Sequence, residues 1–102
     1  MKERIRVIIK SPGETAGHYL TIPNDLKALQ SIVGGHIECV PASGNMVIIC
    51  NEEGRVIGLP KNGRICGVDF CGTVVVAGVK GEDFADVPVD IEKFKKLMLE
   101  VR

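Results

Sequence analysis

The sequence predicts an α+β domain, a largely antiparallel sheet of about five or six strands with two helices packed on it. Three observations carry this expectation. Short apolar runs, rich in valine and isoleucine, recur with glycine- and proline-bearing turns between them. Two other segments repeat their apolar residues at helical spacing instead. The whole chain has 102 residues, 45% of them hydrophobic and 25% charged, which fills a single domain (1–102) and allows a real core without disulfides.

In chain order, Arg4 to Lys10 alternates, with Ile5, Val7 and Ile9 on one face and Arg4, Arg6 and Lys10 on the other. That is a half-buried first strand. Ser11-Pro12-Gly13 is turn chemistry, and His18 to Ile22 returns as the second strand of a hairpin. Asn24 is placed to cap a helix from about Asp25 to Val33, with Leu26, Leu29, Ile32 and Val33 on its apolar face. Gly34-Gly35 ends that helix, because glycine takes the left-handed position without strain. His36 to Val40 reads as a strand, Pro41 to Asn45 as a connection, and Met46 to Cys50 as a fully apolar strand.

Asn51-Glu52-Glu53-Gly54 suits a type I turn, and is expected at a hairpin tip with Arg55 to Leu59 as the returning strand. Lys61 to Gly72 is glycine-rich and reads as a loop holding one short strand. TVVVAGV, Thr73 to Val79, is the most hydrophobic run and the expected central strand. From about Pro88 or Asp90 the chain turns helical. Ile91, Phe94, Leu97, Met98 and Val101 form its apolar stripe, with Lys93, Lys95, Lys96 and Glu100 outward. The order β-β-α-β-β-β-β-α is expected to set the helices against one face of the sheet.

Composition narrows the function classes. Thirteen basic and thirteen acidic residues leave a formal charge of zero, so no bulk field draws the chain to nucleic acid or to anionic membranes. Tyr19, Phe70, Phe84 and Phe94 are the only aromatic residues, too few for a base-stacking platform. Val7-Ile8-Ile9 is too short for a signal-peptide core, and no stretch is long enough to span a bilayer, so a cytoplasmic protein is expected. Cys39 and Cys50 lie in apolar runs, while Cys66 and Cys71 form a C-x4-C spacing without a histidine pair at ligand spacing. Free, reduced thiols and no metal or cofactor are expected.

The residues able to carry chemistry point to binding rather than to catalysis. Glutamates at a turn are solvated, so Glu52 and Glu53 lack the environment that general acid catalysis needs. No Walker A loop and no G-x-G-x-x-G occurs. The histidines, His18 and His36, have no nucleophile in a recognisable elbow or triad context. The better anion candidate is Lys61-Asn62-Gly63-Arg64, where two cations and glycine-loosened backbone N–H groups suit a phosphate. A solvated basic loop is the competing reading.

Ala28 to Gly35, Ile49 to Gly54, and Gly58-Leu59-Pro60 with Asn62 resemble the domain-of-unknown-function family catalogued under number 3846. Asp69 to Thr73 and Gly81 to Phe84 extend the likeness in order along nearly the whole chain. Where that family commonly has an asparagine–arginine pair and an acidic stretch, Gly63 here separates Asn62 from Arg64 and the acids are missing. The resemblance implies a small accessory protein of phages and mobile elements, of a kind that often acts against host defences. The expected function is then non-enzymatic capture of a nucleotide-like or phosphorylated small molecule, such as a host immune signal. Lys61 and Arg64 would meet phosphates, Asn62 and His36 would bond a base or ribose, and Arg55 would assist. With few rings available, a homo-oligomeric interface is expected to help enclose the ligand. The alternative is a module that inhibits a host defence protein by direct binding, through a sheet edge or the C-terminal helix.

Overall fold

The computed structural model describes residues 3–99. Glu100 and Val101, expected on the last helix, lie outside the described residues. The elements in order are β1 (Arg4–Lys10), β2 (His18–Pro23), α1 (Leu26–Val33), β3 (Ile37–Pro41), β4 (Met46–Asn51), β5 (Lys61–Ile65), β6 (Val68–Cys71), β7 (Val74–Lys80), β8 (Asp83–Ala85) and α2 (Ile91–Leu99). The main sheet runs β2-β1-β7-β4-β3, with β8 also paired to β7, and β5–β6 form a separate hairpin. Every pairing is antiparallel, so the fold is α+β.

Both faces of the sheet are covered, which explains why the central strands read as unbroken apolar runs and not as alternation. On one face Val7, Ile49 and Val75 pack with Leu29 and Val33 of α1. On the other, Ile8, Ile48 and Val76 pack with Phe94 of α2 and with Ile65 and Phe70 of the β5–β6 hairpin. The helices therefore sit on opposite faces, correcting the expectation of a shared one. The same cover corrects the reading of β1. Its first half alternates, but Ile8 and Lys10 are buried because α2 and the hairpin close over that end.

Helix α1 is capped by Asp25 and not by Asn24, its carboxylate accepting from the Ala28 N–H at 2.8 Å. Gly34 ends it in the left-handed region, φ 79°. Leu26 is exposed, so the buried stripe begins at Leu29. At α2, Ile91, Leu97 and Met98 pack against the core beside Phe94; Lys93 and Lys96 are exposed and Lys95 half-buried.

The expected strand from Arg55 to Leu59 does not form. The turn at Asn51–Gly54 is present, with the Gly54 N–H donating to Asn51 O at 3.2 Å. The chain then continues in turns, with Ile57 N donating to Glu53 O and Leu59 N to Gly54 O. A returning strand has nowhere to pair, because β4 is already flanked by β3 and β7. Gly58, at φ 74°, and Pro60 then redirect the chain. The segment expected as a loop, Lys61 to Gly72, contains the β5–β6 hairpin instead.

A last short element closes the sheet where β1 and β7 splay. Their pairing stops at Ile8↔Val76, and β8 takes over along Gly78 to Lys80. The Arg6 N–H then donates to the Asp86 carboxylate at 2.9 Å and the Val87 N–H donates to Arg6 O at 2.8 Å.

Candidate functional site

The basic loop is built on the hairpin. Cys66 and Gly67, at φ 49° and 84°, supply the two left-handed residues of a tight turn between β5 and β6. Across the strands, Arg64 clamps Asp69 by a two-pronged contact, Nε to Oδ1 at 2.9 Å and Nη2 to Oδ2 at 3.1 Å. Hydrogen bonds from Arg64 hold the Asp69 carboxyl below the usual carboxylate range, and Asp69 in turn raises the Arg64 guanidinium.

The register slips between Lys61 and Gly63, leaving Asn62 as the extra residue of a bulge. A bulge re-aims a side chain, and here it turns Asn62 into the protein. Its Nδ2 donates to the carbonyls of Lys10 and Gly72, both at 2.8 Å. Its Oδ1 accepts from the Lys10 ammonium at 2.6 Å. Burial pushes the Lys10 amine below its ordinary value, with Glu14 opposing that shift. Asn62 thus locks the hairpin to the end of β1, and both of its amide protons are used in the fold.

The turns after β4 fold back against the hairpin and bring in Arg55, whose Nη2 donates to Asp69 O at 3.4 Å. Between them lies a cleft of about 550 Å³. Arg55, Lys61, Arg64 and Asp69 supply its charged lining, and Leu59, Phe70 and Cys71 its apolar lining. Of the five residues expected to bind a ligand, the structure brings together Arg55, Lys61 and Arg64. Asn62 is committed elsewhere. His36 is exposed at the entry to β3, does not line the cleft, and accepts through its carbonyl from Glu52 N at 2.8 Å.

Asp69 escaped the sequence reading. Had Cys66-Gly67 been recognised as a hairpin turn, the spacing would have placed Asp69 opposite Arg64, the pairing now seen. The polar side chains of the first hairpin are engaged in the fold. Arg4 donates to Thr21 O at 3.3 Å, Arg6 lies 3.8 Å over the Tyr19 ring, and His18 Nδ1 contacts Glu14 at 3.0 Å. The four cysteines are unpaired, and burial pushes the Cys50 thiol up to about 11. Among the described residues, no group of three or more histidine, cysteine, aspartate or glutamate side chains is arranged to hold a metal ion. No helix among them is long and apolar enough to cross a membrane.

Fold and site together define a small α+β domain carrying a cationic cleft on an accessory hairpin. The chain belongs to the family described as Domain of unknown function (DUF3846), which matches residues 5–99. No solved structure matches the chain.

Proposed function

We propose that this protein binds, without transforming it, a small phosphorylated or nucleotide-like molecule in the cleft between the β5–β6 hairpin and the turns after β4. The observation that carries the reading is the convergence of Arg55, Lys61 and Arg64 on one cleft, with Asp69 as its single carboxylate. Three cations against one anion favour a dianionic phosphate, and the guanidinium forks suit its oxygens. Phe70 lines the cleft but is only 4% exposed, so it offers an apolar wall more than a stacking ring. A base would rest against Leu59 and Phe70, and a second copy of the chain would help enclose it.

Binding without turnover is supported by what surrounds Cys71, the cleft's one thiol. Neither histidine lines the cleft, so Cys71 has no imidazole there to activate it. In the phage and mobile-element setting that the resemblance implies, a nucleotide immune signal of the host is the first ligand to try, and sequestration the corresponding role. Calorimetric titration with inorganic phosphate, ADP-ribose and a cyclic dinucleotide tests the reading. Saturable binding that weakens about tenfold in Lys61→Ala and in Arg55→Ala is the expected result. Absence of heat with all three probes at millimolar concentration, or conversion of a probe to product, overturns it.

A further inference from the structure

Among the described residues the path β2-β1-β7-β4-β3 ends in two outer strands, β2 and β3, and they are guarded unequally. In β2 the outward main-chain groups belong to Tyr19 and Thr21, an alternation set by the Asn24 N–H donating to Glu3 O. The Thr21 carbonyl there accepts from Arg4, and Pro23 closes the strand. In β3, His36 O accepts from Glu52 N and Ala42 N donates to Met46 O, while Glu38 and Val40 stand opposite Cys50 and Ile48. This alternation turns the N–H and C=O of Ile37 and Cys39 outward. Among the described residues nothing pairs with those four groups. Unpaired strand edges of this kind are templates for another strand.

Glu38 and Val40 lie on the hairpin side of that edge, where they line a second cleft of about 360 Å³ with Glu52, Asp69, Val56 and Val68. Arg55 is its one cationic lining residue, and it already donates to the Asp69 carbonyl. The Asp69 carboxylate is already clamped by Arg64, and Glu38 and Glu52 against the single guanidinium of Arg55 leave the cleft acidic. Its apolar rim is unusually bare: Val56 is 84% and Val68 38% exposed.

We infer that β3 takes up an extended segment of another protein as an added strand, with a lysine or arginine side chain seated between Glu38 and Glu52. Main-chain bonds to Ile37 and Cys39 supply affinity, while the acidic cleft selects basic side chains on its own face, their aliphatic stems resting on Val40 and Val56. Charge argues against a second copy of this chain as the occupant. Two-fold pairing of β3 with itself brings two acidic clefts onto one continuous face, and like charges there oppose association. The acidic cleft adjoins the anion cleft and shares Arg55, Asp69, Phe70 and Cys71 with it, but Glu38, Val40 and Glu52 line the acidic cleft alone.

Fluorescence anisotropy with labelled Val-Lys-Val-Arg-Val-Thr and its acidic counterpart Val-Glu-Val-Asp-Val-Thr provides the test. The basic peptide is expected to bind about tenfold more tightly, and Glu38→Lys to erase that preference. Cys39→Pro removes an outward N–H at an edge position where proline is tolerated, and is expected to weaken binding about tenfold with an unchanged circular dichroism spectrum. Equal affinity for the two peptides, no saturable binding of the basic one, or unaltered binding by a folded Cys39→Pro overturns the inference. So does a concentration-dependent dimer in sedimentation that Cys39→Pro abolishes, because the edge then belongs to a second copy.

Discussion

Asn62 holds Lys10 by both ends: its amide donates to the Lys10 carbonyl while its oxygen accepts from the Lys10 ammonium. The third member is Gly72, whose carbonyl takes the remaining amide proton. Lys10 is only 4% exposed, so its charge depends on this partner. Asn62→Ala is therefore expected to cost about 3 kcal/mol in urea unfolding, because the carbonyls of Lys10 and Gly72 lose their amide donor and the buried ammonium keeps only its longer bond, 3.3 Å, to the main-chain carbonyl at position 62. The double variant Lys10→Met with Asn62→Leu should recover part of that loss, since removing both partners is gentler than removing one.

Acid stability offers a second check through Glu14. Its carboxyl is held below the usual carboxylate value first by the Ser11 N–H, which donates to it at 2.7 Å, and then by His18. A folded value below the unfolded one stabilises fully above the unfolded value of about 4.3. That contribution disappears as pH falls through the folded value. Urea midpoints followed down the acid limb should fall less steeply in Glu14→Gln than in the parent protein.

Gly78 marks where β8 and the following chain crowd β7. A Cβ there would overlap the Asp86 carbonyl oxygen and approach Pro88, although the backbone itself lies outside the left-handed region. Gly78→Ala should cost about 3 kcal/mol by steric displacement alone. Gly63, where a Cβ meets open space, is the control: Gly63→Ala should stay within about 0.5 kcal/mol of the parent.

These positions show what the sequence could and could not convey. β1, β4, β7 and both helices follow from local apolar patterns, because each buries side chains along its whole length or on one clear face. Arg55 to Leu59 misled because Val56 and Ile57 imitate a strand, yet they are 84% and 57% exposed. Only the sheet order shows that β4 has no open side to receive them. The β5–β6 hairpin stayed hidden for the opposite reason: Ile65 and Phe70 are its only buried apolar side chains, and its turn carries cysteine where asparagine or aspartate is usual. Lys61 and Arg64 were legible as a basic loop. The inward turn of Asn62 was not, because a bulge is set by pairing between distant segments.

That turn is itself open to improvement. Cys66 is the one described non-glycine residue in the left-handed region, φ 49°, where a side chain other than asparagine or aspartate is strained. Cys66→Asn should stabilise the hairpin by about 0.5 to 1 kcal/mol, read as a higher urea midpoint, with the loss of some packing against the core limiting the gain.

Asp69 provides the sharpest separation between a structural and a binding role for Arg64. As the protein stands, the guanidinium fork is turned onto Asp69 and partly neutralised by it. Asp69→Asn removes the cleft's one carboxylate and frees the fork for another anion. Because the pair is exposed, its loss should leave the thermal midpoint nearly unchanged. Phosphate affinity measured by calorimetry should instead rise about fivefold, and the rise should vanish in the double variant with Arg64→Ala. Unchanged affinity in Asp69→Asn would show that Arg64 serves only to clamp the hairpin, leaving Arg55 and Lys61 as the cleft's phosphate-binding groups.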